Sequence, residues 1–183
     1  GVSGAGKSHV GARLAVRGGA VHLRSDVERK RLFGLAPEHR PGPREARRLY
    51  DAEAGARTYG ELATRAAALL GAGVDVIVDA TFLDAGQRGR FADLAREAGV
   101  RAALLTCSAR PETLRERIEA RAAAGGDPSD ADLAVLDAQL ATRTEPGEES
   151  AGFERFTLGE DDDADAVVAR LAAWMHTADP GAS

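Results

Sequence analysis

Gly1-Val2-Ser3-Gly4-Ala5-Gly6-Lys7-Ser8 opens the chain and fits the pattern G-x-x-x-x-G-K-S without deviation. Glycines at this spacing let the backbone turn so that successive N–H groups point inward at phosphate oxygens. Lys7 is placed to reach the β- and γ-phosphates, and the Ser8 hydroxyl to ligate Mg²⁺. Val10 and Leu14 then mark one face of a helix whose positive N-terminal end adds to the cradle. The expected nucleotide-binding residues are therefore Gly1, Ser3, Gly4, Ala5, Gly6, Lys7, Ser8 and, at the head of the helix, His9. A Gly-rich turn without a ligand is the competing reading, and the helix and sheet pattern downstream argue against it. The motif specifies a bound nucleoside triphosphate, with ATP and Mg²⁺ as the expected pair, and leaves the reaction open. Such a loop also needs a buried parallel strand directly before it. The expectation is thus a domain whose first strand is missing from this chain, with an upstream domain in the same polypeptide.

Working outward, short apolar runs alternate with helical stretches. Ala20–Leu23 is an expected strand, Asp26–Leu32 a short helix and the proline-rich Leu35–Arg44 a loop. Leu62, Ala66, Leu69 and Leu70 recur at helical spacing ahead of Gly71 and Gly73. Val74–Val78, Val100–Thr106 and Phe153–Leu158 are the remaining strand candidates, two of them near-continuously apolar, as strands covered on both faces are. Between them, Phe91, Leu94, Ala95 and Ala98 make one helical face, and Pro111 opens a helix carrying Leu114 and Ile118. Ala122–Asp127 breaks that helix. Ser129 with Asp132 suggests a capping box before Leu133, Leu136 and Leu140. Val167, Leu171 and Trp174 face the core from a last helix, whose start the acidic run Glu160–Asp163 stabilises. This alternation implies an α/β domain, a parallel sheet with helices on both faces, over residues 1–176 with a tail at 177–183.

A 183-residue chain that is 44% hydrophobic and 29% charged suits one globular domain, and with aromatics at 4% its core must rest on Ala, Leu and Val. The net charge of −5 disfavours generic nucleic-acid binding. Cys107 is the single cysteine, which excludes an internal disulfide and fits a reducing cytoplasm. No apolar run approaches the ~20 residues that span a bilayer, and no signal peptide is evident. The imidazoles of His9, His22, His39 and His176 show no metal-ligand spacing and receive no role.

Four further groups of residues carry chemistry. Asp26 falls at the end of the second expected strand, where ligands bind in doubly wound sheets, and a carboxylate there can take the proton of an attacking hydroxyl. Arg29, one helical turn on, can hold an anionic acceptor group or orient Asp26; the bland alternative is a helix cap beside a solvated basic face. Asp79 ends Val76-Ile77-Val78-Asp79 and has the form of the acidic residue that holds Mg²⁺ with Ser8. Ala80 follows it, where hydrolytic motor ATPases carry a water-activating Glu, and Thr81 either assists the acceptor or bonds the turn. Arg117 and Arg121 share a helical face beside a flexible segment, as a lid over the transferring phosphate requires, with Arg115 on the same helix; an exposed face of Arg–Glu pairs is the alternative.

Taken in order, GVSGAGKS, Asp26-x-x-Arg29, VIVDAT at 76–81 and Leu114-x-x-Arg117-x-x-x-Arg121 resemble the polynucleotide-kinase-like group of P-loop kinases. That group, with its AAA-type ATP-binding domain, also holds gluconate kinases, zeta toxins and chloramphenicol phosphotransferase. The likeness spans most of the chain and extends to bacterial kinase domains fused after an aminoglycoside-phosphotransferase-like domain. It implies a three-layer sandwich on a five-stranded parallel sheet of order 2-3-1-4-5, with a helical lid at about 111–143. It also implies ATP-dependent transfer of the γ-phosphate to a hydroxyl. In that transfer Asp26 is the general base, Asp79 the Mg²⁺-linked acid, and Arg117 and Arg121 the lid residues. Gluconate kinases carry Gly-Asp where Ser25-Asp26 stands here, which separates this chain from them. Two other readings stay open. One is a 5′-end kinase for nucleic acid, with Arg24, the stretch Arg29–Arg31, Arg44, Arg47 and Arg48 along the strand path. The other is a non-catalytic ATP-binding module.

Overall fold

The computed structural model describes residues 1–125 and 127–177. Helix α1 (Lys7–Gly18) leads through strand β1 (Val21–Arg24) into helices α2 (Ser25–Leu32), α3 (Pro43–Leu49) and α4 (Ala52–Gly71). Strand β2 (Val76–Asp79), helix α5 (Ala85–Glu97), strand β3 (Ala103–Cys107) and helices α6 (Pro111–Ala124) and α7 (Leu133–Thr142) follow. A 3₁₀ turn at Glu148–Ser150, strand β4 (Glu154–Leu158) and helix α8 (Ala164–His176) complete the order. No described helix is long and apolar enough to cross a membrane.

All strand pairing is parallel. β1 lies against β2 from Val21 opposite Val76 to Arg24 opposite Asp79, and β3 lies against β4 from Ala103 opposite Glu154 to Cys107 opposite Leu158. Side chains alternate along a strand, and helices cover both faces. Val10 and Leu14 of α1, Leu114 of α6 and Leu171 of α8 share one core with Phe156 and Leu158. Leu62 and Ala66 of α4 and Phe91 of α5 share the other with Leu23 and Val78. The aliphatic composition thus fills two cores, as an α/β layer architecture demands.

The two ribbons match the outer pairs, 2-3 and 4-5, of the expected sheet. The described residues hold four strands, and no strand lies between β2 and β3. Their facing sides bound a groove of about 660 Å³, lined by Ile77, Val78, Leu104 and Leu105 with Val10 and Phe91 from the helices. Gly1 stands at its upper end. Its amino nitrogen donates to the Thr81 carbonyl at 3.0 Å, just beyond β2. A β-carbon on Gly1 would lie 2.3 Å from the Cys107 carbonyl oxygen at the end of β3.

Several local expectations change. Leu35–Arg44 is not loop throughout, because Pro43 begins α3, where its fixed φ and missing N–H suit a first helical position. Ser129 does not cap α7. Its N–H is taken by Asp127 Oδ1 at 2.8 Å, and Asp132 is the cap, accepting from the Val135 N–H at 2.9 Å. Helix α6 runs past Ala122 to Gly125, whose φ of 67° favours glycine. Asp163 caps α8 through the Asp165 N–H, while Glu160 turns instead to the Arg110 backbone. Gly126, and the expected tail beyond Thr177, lie outside the described residues.

Candidate nucleotide and acceptor site

The loop is built to leave donors unspent. Helix α1 starts at left-handed Gly6 (φ 89°), has no side-chain cap and carries no acidic residue in its first turn. By contrast, Asp51, Asp84, Asp132 and Asp163 cap α4, α5, α7 and α8. The head of α1 therefore keeps free N–H groups and its positive dipole end for an outside anion. Val2 and Ala5, at variable positions of the motif, are buried and anchor the loop in the α1 core. Gly4 is held to glycine twice, by its φ of 81° and by the Leu114 carbonyl oxygen 2.9 Å from where a β-carbon would stand. His9 is exposed, with its ring 3.5 Å from Arg13, so only its backbone can serve a phosphate.

Lys7 Nζ folds over the loop and donates to the Val2 carbonyl at 2.7 Å. Burial lowers the Lys7 pKa, opposed by the charges of Asp79 and Asp26. One ammonium thus faces both carboxylates named from the sequence. Asp79, 8% exposed, is gripped from several sides. Burial alone would raise its pKa, but His22 and Ser8 beside it and the charge of Lys7 bring it below the usual carboxylate value. Arg24 Nε stands 3.7 Å from Asp79 Oδ2. Asp26, in the first turn of α2, behaves oppositely. Burial raises its pKa, and Arg29, Lys7 and a hydrogen bond with Ser129 offset this only in part. Two carboxylates at one site with pKa values pushed apart is the pattern that separates a proton acceptor from a permanent anion.

Arg29 Nη1 donates to the Leu49 carbonyl at 3.1 Å, and its guanidinium lies 4.8 Å from the centre of the Tyr50 ring. From that seat its charge reaches Asp26 and lowers its pKa. Thr81 is committed to the turn, with Oγ1 3.3 Å from the Tyr59 hydroxyl, which in turn accepts the Phe82 N–H at 3.1 Å. From the lid, Arg117 Nη1 donates to the Gly4 carbonyl at 3.3 Å. Arg121 donates to the Ala131 carbonyl at 2.8 Å, and its charge reaches Lys7. Gln139 of α7 accepts the Ser3 N–H at 2.8 Å, so the lid also occupies one donor of the loop. Arg115 turns away to Asp137.

Sequence patterns do not reveal the clasp that seats the lid. Lys30, 1% exposed, donates to the Pro37 and His39 carbonyls at 2.9 and 2.7 Å and stands 3.0 Å from Asp130 Oδ2. Asp130 also accepts from the Tyr50 hydroxyl at 3.1 Å and from Arg40. Arg24, which the sequence places only on a strand path, reaches Asp127 of the lid at 3.6 Å as well as Asp79. The available signal is alternation, since His22 and Arg24 are polar at i and i+2 on a buried strand.

No group of three or more His, Cys, Asp or Glu suited to a metal occurs among the described residues. One hydroxyl and one carboxylate, Ser8 and Asp79, do stand together, and such a pair fits Mg²⁺, which keeps several waters and phosphate oxygens of its own.

This loop, open helix head and parallel α/β frame define a P-loop nucleoside-triphosphate-binding protein. The chain belongs to the AAA domain family, whose model matches residues 1–146. Among solved structures it is similar to a presumed kinase from Chloroflexus aurantiacus, at 23% identity and TM-score 0.69, covering 92% of this chain and 91% of that one. A gluconokinase from Sinorhizobium meliloti aligns at 21% identity and TM-score 0.59, over 96% and 91% of the two chains. The APS kinase of Mycobacterium tuberculosis, solved with AMPPNP and APS, aligns at 18% identity and TM-score 0.62, over 97% and 94%. At these identities the likeness establishes the fold. No curated protein matches the sequence significantly.

Proposed function

We propose that this domain transfers the γ-phosphate of ATP to a hydroxyl of a small molecule. The observation that carries it is the convergence of Lys7 on two carboxylates of opposite character, Asp26 with a raised pKa and Asp79 with a lowered one, at the uncapped head of α1. Ser8 and Asp79 would hold Mg²⁺, which when bound supplies positive charge to the phosphates. Asp26 takes the proton from the acceptor hydroxyl; that oxygen bonds to the γ-phosphorus, and the bond from phosphorus to the β–γ bridging oxygen breaks, releasing ADP. Lys7, Arg117 and Arg121 meet the charge that spreads over the phosphoryl oxygens. The kinases among the solved structures support this reading.

The strand path for nucleic acid loses weight. Arg31 is paired with Glu28 and Glu61, Arg24 with Asp79 and Asp127, and Arg29 is seated on Leu49 and Tyr50. Of that set Arg31, Arg44, Arg47 and Arg48 stay exposed, and Arg31 is spent on its ion pairs. The test is a mass-spectrometric screen for ATP-dependent phosphorylation across cell metabolites and oligonucleotide 5′ ends, with Lys7→Ala as control. A phosphorylated small molecule that disappears with Lys7→Ala is expected. ATP bound without turnover on any acceptor would leave the binding-module reading in its place.

A further inference from the structure

His22 stands where the P-loop helix crosses β1. Alternation along β1 sends Leu23 into the core of α4 and α5 and leaves His22 and Arg24 on the opposite face of the ribbon. The register sets Arg24 opposite Asp79 and His22 opposite Ile77, which packs on the α1 core. The His22 side chain is 14% exposed, and its Nε2 lies 3.3 Å from Asp79 Oδ2. Nε2 is fully buried and makes no properly formed hydrogen bond. At 3.3 Å the contact is slack against the usual range of about 2.7–3.2 Å for N–H···O, yet Asp79 is the acceptor within reach.

Gly11 supplies an independent observation. It lies inside α1, one helical turn after Ser8, and its backbone is not left-handed. Glycine at a helix interior is destabilising relative to alanine. The space it leaves is filled by the imidazole, because a β-carbon there would stand 2.7 Å from Nε2 and 3.1 Å from Cε1 of His22. Helix α1 thus gives up side-chain volume at the one point where the ring must pass beneath it to reach Asp79. Ser8, from the same helix, acts on the same carboxylate.

We infer that His22 is a positioning residue that holds the Asp79 carboxylate in one orientation beside Ser8, and that Gly11 is glycine to admit the ring. This rests on the reading of Asp79 and Ser8 as the Mg²⁺ pair. Outer contacts of this kind alter metal affinity by roughly 10–100-fold when removed; with Mg²⁺ held through few protein atoms, the low end applies.

The test is calorimetric binding of ADP with and without Mg²⁺ to the wild type, His22→Leu, His22→Gln, Gly11→Ala, Asp79→Asn and the double variant His22→Leu/Asp79→Asn, with melting temperatures alongside. His22→Leu is expected to weaken the Mg²⁺-dependent gain in ADP affinity about tenfold and to leave metal-free ADP binding unchanged. His22→Gln, which keeps an N–H donor, restores most of it. Gly11→Ala reproduces the loss by displacing the ring, in a helix that alanine otherwise favours, so the role of His22 is tested even where His22→Leu folds poorly. In the Asp79→Asn background, His22→Leu adds nothing further. An Asp79→Asn shift in Mg²⁺ affinity without one in Gly11→Ala or His22→Leu overturns the role of His22 alone. No shift in Asp79→Asn removes the metal reading of Asp79 and this inference with it.

Discussion

As the proposed proton acceptor, Asp26 would set activity against stability in a single side chain. Its pKa is raised, chiefly by burial, so protonation favours the folded state. That contribution is complete below the ordinary aspartate pKa and is lost as pH rises through the raised folded value. Above it, folding carries a desolvated charge. Asp26→Asn is therefore expected to melt higher than wild type at neutral pH, with the gap closing in acid, while transfer falls by roughly a hundred- to ten-thousandfold because the proton acceptor is gone. The measurement is kcat beside melting temperature across acidic and neutral pH. A lower melting temperature with kcat intact would mean that Asp26 is only a structural element of α2. At this scale a motif with fixed spacing singles out Lys7, Ser8, Asp26, Asp79 and Arg121 in the sequence, and the structure brings Lys7 within electrostatic reach of Asp26, Asp79 and Arg121. The sequence was not legible for His22, Arg24 or Lys30, whose partners Asp79, Asp127 and Asp130 lie far along the chain and meet them only through sheet register and lid closure.

Helices α6 and α7 touch the loop through Arg117 and Gln139. Two of the lid's contacts have different consequences. Arg121 bonds a lid carbonyl and faces Lys7, so its charge is needed most when negative charge spreads during transfer. Arg121→Ala is expected to slow transfer about a hundredfold or more with nucleotide affinity nearly intact and little change in melting temperature. Asp130→Ala instead leaves Lys30 buried without its carboxylate, and breaking a buried pair from one side costs about 3–5 kcal/mol. Its melting temperature should fall by several degrees and, since α2 carries both Lys30 and Asp26, acceptor KM should rise. Stopped-flow transfer and thermal melts on the two variants separate these outcomes. An Arg121→Ala kcat equal to wild type returns that arginine to a solvated face. The sequence showed the arginine face through its four-residue spacing, but the clasp joins α2, α3 and the lid across about a hundred residues, and no local pattern encodes it.

Across the whole molecule, the groove between β2 and β3 divides the pairing into two parallel ribbons with apolar walls. The sequence by itself determined the alternating α/β order, the parallel pairing and the phosphate loop, because hydrophobic period, helix caps and glycine spacing are local physics that act within a few residues. Only the tertiary structure decided which charges oppose one another. The pKa values of Asp26 and Asp79 diverge because α2 buries the first beneath the lid, whereas register and the crossing of α1 surround the second with donors. Electrostatic environment depends on distance through space, and that distance is set only when the layers pack.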